Sequence, residues 1–165
     1  MGQDKKRLGN FGILVVDADG GYRRLVTAEL RNLGARNVHG AAKGEQALEV
    51  LNAEGIDVII TEYYLPFVQS VRTHAKTSLR RLPIILVTNN TTKDDVLAAR
   101  DAGINTFVAK PVSASALCEQ ILRAMSDRRP IVQAGNFAGP DRRRPRPAPA
   151  YGGPDRRRNR LSALQ

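Results

Sequence analysis

The sequence has few of the residues from which metal centres, disulfides and aromatic ligand pockets are built. Its 165 residues include one cysteine, no tryptophan and two histidines, and aromatic residues make up 5% of the chain. The single cysteine, Cys118, excludes an internal disulfide and is typical of a reducing compartment. His39 and His74 lie far apart and lack the spacing of metal ligands. We therefore expect no metal centre and, because no nucleophile–base arrangement appears, no enzyme.

Long hydrophobic runs are also missing. No apolar stretch approaches the ~20 residues that cross a bilayer, and the basic residues 1–9 lack the apolar core of a signal peptide. We therefore expect a cytoplasmic protein without membrane insertion. The length suffices for one domain with a hydrophobic core and an appendage, but not for two ordinary domains.

The positive charge is concentrated at one end of the chain. Residues 1–127 carry 16 Lys and Arg against 14 Asp and Glu, whereas residues 128–165 carry 10 Arg against 2 Asp, which together give the net charge of +10. Six of the nine prolines also lie beyond residue 128. This asymmetry predicts a globular domain over residues 10–127, preceded by an extension over residues 1–9 and followed by a flexible Arg/Pro-rich tail. We expect truncation after Asp127 to leave thermal stability nearly unchanged.

Apolar runs alternate with segments of helical periodicity along the chain. Only sixteen residues separate Pro66 from Pro83, which predicts a short or distorted third helix. The alternation predicts an α/β fold, in which helices cover both faces of a five-stranded parallel sheet. The predicted strands cover residues 11–16, 37–42, 57–61, 83–88 and 105–109, and the other predicted helices cover residues 22–33, 44–53, 93–102 and 113–125.

Polar residues follow the predicted strands at their carboxyl ends. Asp17 follows the first strand, Glu62 follows the third, Thr88 ends the fourth and Lys110 follows the fifth. Because the carboxyl ends of parallel strands meet at one edge of the sheet, we expect these side chains to form the functional site. This layout resembles the response-regulator receiver domain, which has the CheY-like (flavodoxin-like), doubly wound fold, over roughly residues 10–126.

The resemblance implies a role for each of these residues. In the family, two acidic residues after the first strand hold Mg²⁺, an aspartate after the third accepts a phosphoryl group, and a Thr or Ser and a Lys sense it. Thr88 and Lys110 match the sensing positions, Lys110 precedes a proline that the family has in the cis form, and Phe107 matches the switch aromatic. The implied partner is a protein of a signalling or motility pathway.

Two departures from the family pattern lie at the acceptor site. Ala18 stands where the second acidic residue is expected, with Asp19 one place further on, and Glu62 replaces the acceptor aspartate. Mg²⁺ requires near-octahedral oxygen ligation, and a nucleophile displaced by about one ångström loses on the order of 10²-fold in rate. We therefore expect an impaired Mg²⁺ site and no phosphorylation. Glu62 is then either a fixed mimic of the phosphoryl group or a structural ion-pair partner of Lys110.

A six-residue motif occurs twice in the tail. Gly-Pro-Asp-Arg-Arg-Arg spans residues 139–144 and recurs unchanged at residues 153–158. Arginine binds phosphate and guanine and stacks on bases, and a carboxylate accepts from the N–H edge of guanine. Two such units fit cyclic di-GMP, and the tail resembles the arginine-rich extensions of some CheY-like proteins that respond to this messenger. The candidate ligand-binding residues are Asp141, Arg142, Arg143, Arg144, Asp155, Arg156, Arg157 and Arg158.

Three functions are compatible with these features. The first is a signalling adaptor, a degenerate receiver that docks a protein partner and binds cyclic di-GMP through its tail. The second is a receiver-like protein whose basic tail binds nucleic acid or another polyanion by releasing counterions. The third is a conventional phosphorelay regulator, against which Ala18 and Glu62 argue. The two aspartates of the repeat favour the first function over the second, because they hinder binding to a polyanion.

Overall fold

A five-stranded parallel sheet forms the centre of the domain, as the sequence predicts. The computed structural model describes residues 8–62, 65–89 and 92–143. The strands are β1 (Gly12–Val16), β2 (Asn37–Ala41), β3 (Val58–Thr61), β4 (Ile84–Thr88) and β5 (Thr106–Ala109). Their order across the sheet is β2-β1-β3-β4-β5, and all neighbouring pairs are parallel. The order reverses between β1 and β3, which places the carboxyl ends of these two strands at the position where such sheets bind ligands.

Six helices of the described residues cover the two faces of this sheet. The segment between Pro66 and Pro83 contains two short helices, as the spacing predicts. None of the helices combines the length and the apolar character needed to cross a bilayer. The helices are α1 (Gly20–Asn32), α2 (Gly44–Ala53), α3 (Leu65–Arg72), α4 (Thr77–Arg80), α5 (Lys93–Ala102) and α6 (Ala114–Met125).

Alternating side chains along the strands divide the core into two layers. Leu14 and Val16 of β1 pack with α2, α3 and α5 on one face, whereas Ile13 and Val15 pack with α1 and α6 on the other. Every residue of β1, β3 and β4 is buried, because helices cover both faces of these central strands. Cys118 lies in the layer formed with α1 and α6. The residues that follow the central strands therefore start from a rigid base.

A buried arginine holds the irregular segment between α3 and β4. The side chain of Arg72 is fully buried. It donates hydrogen bonds of 2.7–2.8 Å to the carbonyl oxygens of Arg80, Leu82 and Gly103 and to the side-chain oxygen of Asn105. Burial lowers the pKa of Arg72 to about 10. The guanidinium thus supplies donors to carbonyl groups of a segment where helical hydrogen bonding is interrupted.

Residues beyond α6 form a β-hairpin rather than the start of a flexible tail. β6 (Ile131–Ala134) pairs antiparallel with β7 (Phe137–Pro140), and Gly135, at φ +57°, occupies the turn between them. β7 packs against α3 and α5. Its contact with the loop after α5 is close, because a Cβ atom on Gly139 would lie 2.5 Å from the Cα atom of Gly103.

The hairpin corrects the expected flexible tail over residues 128–143. The excess of arginine beyond residue 127 favours a flexible segment, but Ile131, Val132 and Phe137 supply apolar surface that the domain partly covers. Asp127 also fixes the entry to the hairpin by accepting hydrogen bonds from Arg129, which hold the pKa of Asp127 at about 2. The expected flexibility of residues 144–165, including the second copy of the motif, falls outside the described residues.

Candidate functional site

The carboxyl edge of the sheet brings together three charged side chains, as the sequence predicts. Lys110 Nζ lies 2.8 Å from Oδ2 of Asp17 and 3.1 Å from Oε1 of Glu62, and it donates a hydrogen bond to each carboxylate. The side chains of Asp17 and Lys110 are 4% and 8% exposed, whereas that of Glu62 is 33% exposed. The ion pair between Lys110 and Glu62 is therefore present, and the pair between Lys110 and Asp17 is the more deeply buried one.

The surroundings of Lys110 stabilise its charge. Burial opposes the charged form, but the hydrogen bonds to Asp17 and Glu62 outweigh this effect and raise the pKa of Lys110 above 10.5. The ammonium also lies 3.8 Å from the centroid of the Tyr22 ring, in a cation–π contact. The Tyr22 hydroxyl is buried and has no hydrogen-bond partner in the described part of the chain. Tyr22 therefore serves the site through its ring.

The side chains that follow Asp17 supply no second carboxylate to the site. Ala18 has none, and Asp19 caps α1, where its Oδ1 accepts hydrogen bonds of 2.8 and 3.1 Å from backbone N–H groups of the first turn. These hydrogen bonds lower the pKa of Asp19. Both carboxylate oxygens of Asp17 accept hydrogen bonds, Oδ1 from the backbone N–H of Asp19 and Oδ2 from Lys110 Nζ.

This set of side chains does not fit a Mg²⁺ ion. Such an ion needs several oxygen ligands in near-octahedral geometry, whereas Ala18 supplies no oxygen from its side chain and Asp19 caps α1. Within residues 8–62, 65–89 and 92–143, no group of three or more His, Cys, Asp or Glu side chains is arranged to hold a metal. The impaired Mg²⁺ site remains a prediction, and no chemical step below uses the metal.

A cavity of about 410 Å³ lies beside the charged cluster. Asp17, Ala18 and Glu62 line it on the side of the sheet, and Lys43 and Glu45 line it at the start of α2. The small side chain of Ala18 leaves space where the family pattern has a carboxylate. Glu62 is the most exposed of the three charged residues, so it is the member of the cluster that another molecule reaches most readily.

Thr88 and Phe107 lie at the positions that the resemblance implied. Thr88 ends β4 with 2% of its surface exposed, and its carbonyl oxygen accepts a hydrogen bond from the Lys110 N–H at 2.9 Å. Phe107 in β5 is half-buried and packs against the core layer of α3 and α5. The peptide bond between Lys110 and Pro111 is cis, as implied. Thr88, Phe107 and the cis peptide bond before Pro111 thus lie where the resemblance implied, on the same sheet edge as Glu62.

The first copy of the arginine motif is held against the domain. Arg142 Nη1 donates to Oδ1 of Asp101 at 2.6 Å, and the guanidinium carbon lies 3.8 Å from the centroid of the Phe137 ring. Asp141 Oδ1 accepts the backbone N–H of Arg143 at 2.9 Å. The remaining candidate residues lie outside the described part of the chain; they are Arg144, Asp155, Arg156, Arg157 and Arg158.

Three contacting residues at these sites were not predicted from the sequence. Tyr22 and Asp101 carry no pattern that identifies their partners, because those partners are brought close only by the fold. Phe137 could have been found, since an aromatic residue stands two positions before each copy of the motif, Phe137 before the first and Tyr151 before the second.

Comparisons with known proteins agree with the geometry of the domain. The family described as response regulator receiver domain matches residues 13–122. Chemotaxis protein CheY-3 of Vibrio cholerae serotype O1 is 31% identical over 116 residues, which cover 68% of this chain and 89% of that protein. Chemotaxis protein CheY of Pseudomonas aeruginosa is 33% identical over 113 residues, which cover 66% of this chain and 91% of that protein.

The similarity extends to solved structures of the same kind. The structure of chemotaxis protein CheY4 of Vibrio cholerae has a TM-score of 0.63 at 26% identity, and the match covers 69% of this chain and 98% of that one. A response regulator of Chloroflexus aurantiacus has a TM-score of 0.65 at 25% identity, with coverage of 71% and 98%. The hairpin and the arginine motifs lie beyond residue 122, where the family match ends.

Proposed function

Because this chain belongs to the response regulator receiver family, we propose that it acts in two-component signalling as a non-enzymatic adaptor that accepts no phosphoryl group. The observation that carries this proposal is the acceptor position itself, where Glu62 stands in place of an aspartate and bonds Lys110, while Ala18 supplies no carboxylate. In the family, the matching lysine senses the phosphoryl group. Here the matching residue, Lys110, bonds a glutamate that the family does not use as the acceptor, which supports a site that stays in one state.

Glu62, at the acceptor position, also supports a site that stays in one state. Its carboxylate carries one negative charge where a phosphoryl group carries about two, and it already contacts Lys110. Ala18 removes one of the carboxylates that would recruit Mg²⁺. We propose that the receiver is held in a single state and that the signal enters the protein elsewhere in the chain.

The outer surface of α1 supports an adaptor role. Leu25 is 56% exposed and is the one large hydrophobic residue that is exposed in the described part of the chain. On the same helix, Arg23, Arg24 and Arg31 line a groove of about 380 Å³ that reaches Gly40 of the edge strand β2. An exposed apolar side chain and several arginines on one helix suit an acidic protein segment with a hydrophobic anchor, because a nucleic-acid backbone would use the arginines alone.

We further propose that the arginine motifs bind cyclic di-GMP. Each motif offers guanidinium groups for phosphates and bases and one carboxylate for the N–H edge of guanine. In the first copy, Arg143 is 83% exposed and Arg142 is 33% exposed, so both arginines are within reach of a ligand from solvent. The aspartates distinguish this proposal from binding to nucleic acid or another polyanion, which their negative charge would weaken.

The opposite effect of the aspartates on the two kinds of ligand gives the test. The full chain and its Asp141→Asn/Asp155→Asn double variant are titrated with cyclic di-GMP, GTP and a DNA oligomer by calorimetry. The double variant should bind cyclic di-GMP more weakly, by roughly 1–3 kcal/mol for each lost guanine contact. It should bind DNA more tightly, because two negative charges have left a cationic segment.

Two further results complete this test. Asp94→Asn removes a charge from an exposed position of α5 outside the motif, and it should leave the affinity for cyclic di-GMP unchanged. A parent chain that binds DNA but shows no heat with cyclic di-GMP would refute the messenger proposal in favour of polyanion binding.

A further inference from the structure

One edge of the central sheet has room for a further strand. β2 lies at the end of the strand order, and among the described strands it pairs with β1 alone. The carbonyl oxygen of Ala41 accepts the Asp17 N–H at 3.1 Å, so Ala41 directs its backbone groups toward β1. Because successive residues of a strand direct these groups to opposite sides, the N–H and C=O groups of Val38 and Gly40 point to the open edge.

A basic groove of about 380 Å³ lies between this strand and α1. A Cβ atom on Gly40 would lie 3.3 Å from Cδ of Arg23, so the missing side chain leaves the space that this arginine occupies. None of the described residues that line the groove is acidic, so the lining supplies no counter-charge to its arginines. We call it the edge groove, which is lined by Arg23, Arg24, Thr27, Ala28, Arg31 and Gly40.

Two arginines of the edge groove are available to a partner. Arg23 is half-buried and donates a hydrogen bond of 2.5 Å to the carbonyl oxygen of Asp17, which fixes its side chain. Arg24 and Arg31 are exposed, and neither belongs to a salt bridge among the described residues. They stand about two helical turns apart on α1. The edge groove therefore presents two separated guanidinium groups next to an unpaired strand edge.

We propose that an acidic, extended segment of a protein partner adds to β2 as a sixth strand, with its carboxylates in the edge groove. This inference rests on the proposed adaptor role and assigns that role a contact. The outward backbone groups of Val38 and Gly40 form the hydrogen bonds of strand addition, and Arg24 and Arg31 select an acidic segment by charge. A second copy of this chain would bring the same arginines together, and like charges disfavour edge-to-edge pairing.

The experiment follows the backbone amides of the full, ¹⁵N-labelled chain by NMR during addition of a ten-residue peptide of alternating glutamate and valine. The amides of Val38 and Gly40 should shift and gain protection from hydrogen exchange, because their N–H groups then donate to the peptide. The amides of His39 and Ala41, which face β1, should change less. Two control peptides are N-methylated at the valines or at the glutamates. They keep the charge, and only the one whose methyl groups face β2 should lose binding.

Variants of the chain test the charge and the strand edge separately. Arg24→Gln/Arg31→Gln should weaken binding roughly 2- to 30-fold, the range for two exposed ion pairs. Arg123→Gln/Arg128→Gln removes the same charge from exposed positions in and after α6 and should leave the affinity nearly unchanged. Gly40→Pro removes one outward N–H and should weaken binding roughly 2- to 10-fold, whereas Gly40→Ala keeps it and should bind like the parent. If Gly40→Pro does not fold, the N-methylated peptides test the same hydrogen bonds from the partner's side.

Several outcomes would overturn the proposal. Peptide-induced shifts confined to residues 128–165 would place binding on the cationic tail, and equal binding of both N-methylated peptides would show attraction by charge alone. Shifts of Val38 and Gly40 that grow with protein concentration without peptide would identify a second copy as the occupant. Equal shifts with a DNA oligomer would identify a nucleic acid.

The proposed function fails by a different measurement. A chain that acquires a phosphoryl group from acetyl phosphate and still binds the peptide at β2 would refute the proposed single state and leave the edge site in place. A chain that acquires no phosphoryl group and shows no shift at Val38 and Gly40 would refute the edge site alone.

Discussion

Replacing Lys110 by Met should destabilise the domain far more than replacing Glu62 by Gln. Lys110→Met leaves Asp17, whose side chain is 4% exposed, without its cationic partner. Removing one member of a buried ion pair costs about 3–5 kcal/mol. Glu62→Gln keeps the pair of Lys110 with Asp17 and removes a contact to a carboxylate that is 33% exposed, and such a contact is worth about 1 kcal/mol or less.

Urea unfolding at pH 7 measures both changes as differences in the free energy of unfolding at an unchanged m-value. Lys93→Met is the matched control, because Lys93 is exposed at the start of α5, and it should change stability by less than about 0.5 kcal/mol. Equal losses for Lys110→Met and Glu62→Gln would refute the reasoning, since Glu62 would then be the main partner of Lys110.

The pH dependence of the same variants provides a second measurement. The pKa of Lys110 is raised in the folded chain, so its contribution to stability is fully present below the ordinary value of 10.5. It is lost as the pH rises through the higher folded value. The free energy of unfolding of Lys110→Met should therefore not fall with rising pH in this range. If it falls as steeply as that of the parent, Lys110 is not the group that titrates.

The remaining predictions concern the hairpin and the network beneath it. Truncation after Asp127 should lower Tm by more than a few degrees, because it removes the packed hairpin. Truncation after Arg143 keeps the hairpin and should leave Tm nearly unchanged. Equal melting curves of the two truncated chains would show that the hairpin adds no stability. Arg72→Met should lower the free energy of unfolding in urea by about 3 kcal/mol or more, since it leaves several buried carbonyl groups without a donor. A decrease of less than about 1 kcal/mol would show that the hydrogen bonds of Arg72 do not stabilise this segment. Asp127 stabilises the fold above its ordinary pKa of 3.8, and this contribution is lost as the pH falls toward about 2. The Tm of Asp127→Asn should therefore fall less than that of the parent between pH 4 and pH 2.

The sequence was sufficient to predict the sheet and the residues at its carboxyl edge. The β-branched apolar runs that end at Asp17 and Glu62 are buried on both faces, so their pattern directly reflects their place in the sheet. Because parallel strands deliver their next residue to the same edge, the meeting of Asp17, Glu62 and Lys110 follows from topology. The choice of Asp17 as the more buried partner depends on side-chain geometry and could not be read from the pattern.

The hairpin was missed because composition hid its local pattern. Ile131, Val132 and Phe137 lie among arginines and prolines, so the counts of arginine and proline favoured a flexible tail over two strands of four residues each. The close contact between Gly103 and Gly139 joins two positions that are remote in sequence, and no periodicity indicates such a contact. Arg72 was missed for a related reason, since helical spacing predicts that an arginine at the end of a short helix lies in solvent.

The central claim is that this receiver accepts no phosphoryl group, and intact-mass spectrometry after incubation with acetyl phosphate and Mg²⁺ tests it most directly. The comparison is the Ala18→Asp/Glu62→Asp double variant, which restores the family's residues at both altered positions and should gain Mg²⁺ affinity. We expect the parent to show no acid-labile adduct, because Glu62 and Lys110 are already paired and the oxygen ligands for Mg²⁺ are incomplete. A stoichiometric, acid-labile phosphoryl adduct on the parent chain would contradict the claim.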